Sequence, residues 1–129
     1  MIEEDFYATI KFKSGEEVYA KVAASEEETR TMLLVSNPIT IAEVKTRAGV
    51  AGYKVEPWLK TTREDLFIIN LDDVLTISES SDLEMISIYQ RYIQIINFIS
   101  LNLNFKIYYK FANIIFNMSQ SNFHSSSSY

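Results

Sequence analysis

The side chains able to do chemistry in this chain are few and poorly spaced for catalysis. The single histidine, His124, stands in a serine-rich tail, the setting of a free side chain rather than of an oriented acid or base. Two acidic pairs, Glu64-Asp65 and Asp72-Asp73, are adjacent in sequence. Neighbours along a strand point to opposite faces, so neither pair makes a carboxylate dyad. Glu26, Glu27 and Glu28 repel one another and read as a solvated loop, not a metal site. There is no cysteine, which removes disulfides, thiolate nucleophiles and Cys-type zinc sites. Gly49 and Gly52 sit among Lys45, Arg47 and Lys54, but a phosphate-cradling loop needs more glycines and a following helix. No enzyme, cofactor or metal is expected.

Binding is the remaining chemistry, and charge describes what could bind. The 129 residues carry a net charge of −5, but this average hides a segregated distribution. Residues 1–28 are net −5, 29–63 net +4, 64–84 net −7 and 85–129 net +3. The length suits one domain plus a tail. An acidic start, Met1-Ile2-Glu3-Glu4-Asp5, lacks the pattern of a secretory signal, so a cytoplasmic location is expected. The apolar stretch after Gln94 is broken by asparagines and lysines, and no membrane span is expected there.

The elements that must position any site centre on residues 66–77. Two apolar runs, Leu66 to Ile69 and Val74 to Ile77, flank Asn70-Leu71-Asp72-Asp73, the composition of two strands across a tight turn. Upstream, Phe6, Ala8, Ile10 and Phe12 alternate with polar residues, and Val18, Ala20, Val22 and Ala24 resume that alternation after Ser14-Gly15-Glu16. A hairpin is predicted. Met32 to Val35 and Ile39 to Ile41 form a third strand, bent or bulged at Asn37-Pro38. From Glu43 to Pro57 the periodicity is lost, which predicts an exposed basic excursion. Ser81-x-x-Glu84 has the form of a capping box. Met85, Ile88, Tyr89, Tyr92, Ile93 and Ile96 then give the stripe of an amphipathic helix. Ile99, Leu101, Leu103, Phe105 and Ile107 alternate as a strand would, and Ser119 to Tyr129 reads as disordered.

This order of strands resembles the Sm-like (LSm) family. Phe12, Lys13, Ser14, Gly15, Glu16, Glu17, Val18, Tyr19, Ala20, Lys21 and Val22, with Met32 and Leu33, match the family's first motif. Ile68, Ile69, Asn70, Leu71, Asp72, Asp73, Val74, Leu75, Thr76 and Ile77 match the second, and the similarity runs over about residues 6–79. It departs in having Asn70-Leu71 where eukaryotic and archaeal members usually carry Arg-Gly, Leu33 for Asn, and Ala20 for Gly. The Tyr-Lys-His of bacterial Hfq-type members is missing too, and the small acidic Sm-like proteins of tailed phages are the nearer comparison. The family's N-terminal helix has no room here, and the helix after Ser81 would replace it.

The resemblance implies an all-β fold: a small, strongly bent five-stranded Sm-like barrel over residues 1–80. A C-terminal helix over 81–98 packs on the barrel or a neighbouring subunit, and residues 99–129 form an atypical, partly disordered tail. It implies a homo-oligomeric ring joined by strand edges, with Leu66, Ile68, Val74 and Thr76 at the interface. Single-stranded RNA would bind at pore-facing loops: Arg30 on phosphate or stacked on a base, Met32 packed on a base, Asn70 bonded to a base edge. Alternatively, Asn70 and Asp72 only satisfy turn geometry. The competing function is a ring-shaped protein-interaction scaffold that binds no nucleic acid, supported by the acidic 64–84 stretch.

Overall fold

A computed structural model describes residues 4–26, 30–103 and 114–117. Strands β1 (Phe6–Phe12) and β2 (Glu17–Glu26) form the expected hairpin, with Ile10 opposite Val18 and Ala8 opposite Ala20. The turn closes through Phe12 N–H to the Glu16 carbonyl and Gly15 N–H to the Phe12 carbonyl, both 2.9 Å. Gly15 takes φ +99° there, a conformation that a side chain would strain. β3 (Thr31–Thr46), β4 (Gly49–Pro57), β5 (Leu66–Asn70) and β6 (Val74–Glu79) follow, then α1 (Leu83–Leu103) and β7 (Ile114–Asn117). All pairings are antiparallel. The sheet runs β6-β1-β2-β3-β4-β7, and β5 also pairs with β3.

The fold is the expected curled antiparallel sheet with a C-terminal helix, but with more strands than five. Residues 43–57 are not an exposed excursion: β3 continues to Thr46 and turns back as β4. Gly49 at φ +119° permits the turn, and the Thr46 hydroxyl both donates to the Gly49 carbonyl and accepts from Ala48 N–H, each at 3.2 Å. The alternation is hidden by a shift between Val44 and Lys45, where one irregular residue reverses the phase of the side chains.

Two apolar clusters lie on opposite faces of the sheet. Ala8, Ile10, Phe12, Val18, Ala20, Val22, Leu33, Val35 and Ile69 make the first, with Val74 and Ile77 packed against it. The second joins Tyr19, Ile39 and Val55 to Ile88, Tyr89, Tyr92 and Ile96 of α1, so the helix stripe covers the sheet. Three helix side chains fix its position by hydrogen bonds. The Tyr89 hydroxyl donates to the Ser36 carbonyl and accepts from Lys21 N–H, Gln90 Nε2 donates to the Tyr7 hydroxyl at 3.0 Å, and Glu84 Oε1 accepts from the Tyr53 hydroxyl at 3.3 Å.

The helix differs from expectation at both ends. Its cap is Asp82, not Ser81: Asp82 Oδ1 accepts from Glu84 N–H at 3.0 Å and Met85 N–H at 3.4 Å, filling donors that a helix start leaves free. It runs on to Leu103, so Ile99 to Leu103 are helical where strand alternation was expected. Residues 104–107, Glu27, Glu28, His124 and the serine-rich end lie outside the described residues.

Burial is the main force raising the Tyr89 phenol pKa above its ordinary 10.0. The folded chain therefore keeps its proton where the unfolded chain releases it, and this contribution, complete below pH 10, is lost as pH rises beyond it. Urea midpoints should fall between pH 9.5 and 11 (on the order of one pH unit around that ordinary value), and Tyr89→Phe should flatten the slope.

Candidate functional site

Among the described residues, antiparallel pairing leaves the outer edges of β5, β6 and β7 open, and the first two flank the turn of the second motif. β5 is bonded to β3 alone, with Ile68 opposite Leu34, and β6 to β1 alone, with Ile77 opposite Ile10. Among the described residues, the outer edge of each is unpaired, a row of backbone donors and acceptors available to another strand. The two strands are joined by a 3-10 turn, Leu71–Asp73. Asn70 caps it by accepting from Asp72 N–H at 3.0 Å, and Lys13 N–H donates to the Asp73 carbonyl at 2.9 Å.

The four residues expected at an interface do not share one environment. Leu66 and Ile68 stand outward, 56% and 65% exposed. Thr76 is exposed on β6, but Val74 turns inward against the first cluster. The cause is a bulge: Phe12 pairs with Val74 and Lys11 with Thr76, so Leu75 has no partner across the ladder. Leu75 is 66% exposed. Strict alternation from Val74 conceals it, and the bulge has no signal in the sequence.

Two of the three residues expected to contact RNA come together. Met32 and Asn70 are direct cross-strand partners on β3 and β5, and exposed Arg30 immediately precedes β3. The Asn70 carbonyl oxygen is engaged in the cap, leaving its amide group as the free donor. Asp72 and Asp73, both exposed, share the turn.

A further feature lies beside the β5 edge. Phe12 and Trp58 stack with ring centroids 5.2 Å apart and planes inclined by 13°. Trp58 Nε1 donates to Glu16 Oε2 at 3.2 Å. The pair opens onto a cleft of about 410 Å³ bordered by Ile68, Ile69, Asn70 and Asp73. Trp58 lies far from both motifs in sequence, and only the return of β4 along β3 brings it here.

Among the described residues, no group of three or more acidic or histidine side chains could hold a metal ion, and no helix is long and apolar enough to cross a membrane. Compared with known proteins, residues 9–90 match the family model described as the Sm_like domain. No curated protein matches. The cap hydrogen bond should be measurable without any ligand: Asn70→Ala is expected to lower unfolding free energy by about 1 kcal/mol, read from urea denaturation.

Proposed function

The chain belongs to the Sm-like family, and on that premise we propose that it works as a homo-oligomeric ring binding single-stranded RNA at its pore-facing loops. The observation that carries the ring is the pair of open edges on β5 and β6, each flanked by exposed apolar side chains. The two edges are different surfaces, so each copy offers one to each neighbour, a head-to-tail contact that closes when the rotation between copies completes a circle. An antiparallel ladder joins them, the commoner pairing and slightly the more stable, with Ile68 of one copy opposite Thr76 of the next.

Within that ring, Arg30, Met32 and Asn70 supply a cation, an apolar surface and an amide donor, the parts that a flexible nucleotide needs. Repeated around a circle, weak contacts add by avidity. A second reading, a protein-interaction scaffold without RNA, draws on Asp72 and Asp73. The antiparallel join brings each acidic turn beside its neighbour's, and carboxylates gathered there repel phosphate.

Size-exclusion chromatography with light scattering should give one multimer for the natural chain and a monomer for Ile68→Asp, which puts a charge on the joining edge. A monomeric natural chain at micromolar concentration would sink the ring. Titration with oligo(U) and oligo(A) separates the two readings. RNA binding predicts saturable association that weakens with salt and falls on Arg30→Ala, whereas the scaffold predicts no association at low salt.

A further inference from the structure

Resting on the ring reading, we infer that Leu75 of each copy seats in the Phe12–Trp58 cleft of its neighbour and is the apolar key of the joint. Two observations converge on this pairing. Leu75 is the bulge residue of β6, unopposed in its own ladder and 66% exposed. The cleft adjoins the other open edge, because Ile68, Ile69 and Asn70 belong both to β5 and to its border. An antiparallel join that sets the two outward-facing residues, Ile68 and Thr76, opposite one another would also set Ile69 opposite Leu75, bringing the protruding side chain level with the hollow.

The chemistry of both parts fits. A leucine held in water gains by leaving it, and the stacked rings of Phe12 and Trp58 give an apolar wall of fixed geometry. The indole N–H is already bonded to Glu16, so covering Trp58 strands no donor. Val74 cannot take this role, since it packs into its own subunit. The bulge thereby turns one leucine from its own core towards a second copy.

Trp58 is the only tryptophan in the chain, so its fluorescence reports this cleft alone. In the assembled protein, Trp58 should emit at shorter wavelength and be less quenched by iodide than after dilution to monomer. Leu75→Ala should shift that emission to the red and raise the concentration at half-dissociation about tenfold. Leu75→Met, which conserves volume, should keep both properties close to the natural chain.

Because Leu75 is exposed in the subunit, far-UV circular dichroism and urea midpoints at monomer concentrations should stay unchanged in both variants. A ring that persists in Leu75→Ala with unaltered emission and quenching overturns the inference while leaving the ring intact. Equal quenching of Trp58 by oligo(U) in the natural ring and in Leu75→Ala overturns it too, by giving the cleft to a base. A natural chain that never assembles removes this inference together with the ring.

Discussion

The bend in β3 at Asn37-Pro38 is the constraint on which the rest of the molecule depends. Asn37 takes φ +45° inside the strand, a left-handed conformation that asparagine tolerates better than most residues. Pro38 follows without a backbone donor. Here β3 changes partners: residues up to Ser36 pair with β5, and residues from Ile39 pair with β4. β2 registers the same break, with Tyr19 opposite Ile39 but Lys21 opposite Ser36, so three steps on β3 match two on β2. The freed backbone groups are reused. Asn37 N–H donates to the Asp65 carbonyl at 2.6 Å, and Trp58 N–H to the Pro38 carbonyl at 2.9 Å. One irregularity therefore sets both the start of β5 and the position of the tryptophan.

The bend also divides the labour of the two faces. Its upstream half closes the inner cluster with β1, β2 and β5, while its downstream half, with β4, offers Ile39 and Val55 to the helix. Once α1 lies across that face, its apolar stripe is spent on intramolecular packing. β7 pairs with the outer edge of β4, Val55 opposite Ile114, so that edge also has a partner. Among the described residues the outer edges of β5, β6 and β7 remain; β6 ends the sheet beside β1 while β5 branches from β3, so those two are not neighbours within one copy.

In the proposed ring, charge and apolar contact would act against one another at the joint. The segment from Glu64 to Glu84 is acidic, so neighbours in such a ring would meet like charge with like. Such repulsion is screened by salt over about 10 Å, whereas a backbone ladder and a buried leucine are short-ranged and hardly screened. The balance ties assembly to shape more than to electrostatic attraction. In that setting the acidic turn would govern what approaches the proposed ring rather than what holds it together.

The local rules of the chain were enough to settle several elements from sequence alone. Period-two alternation and a glycine turn specify the first hairpin, Asn70, Asp72 and Asp73 specify the turn after Ile69, and three-and-four spacing specifies the helix face, because each depends on neighbours close in sequence. Met32 and Asn70, selected as separate loop residues, do meet, since both belong to strands whose pairing follows from strand order. The β3–β4 hairpin, the true cap at Asp82, the helical state of Ile99 to Leu103, the Phe12–Trp58 stack and the outward turn of Leu75 needed the tertiary structure. Alternation states which residues share a face only until a bulge adds one more residue, and whether a ladder absorbs that residue is decided by the partner strand. Val74 and Leu75 exchange roles for that reason: the backbone of β1, distant in sequence, selects which of them faces the core.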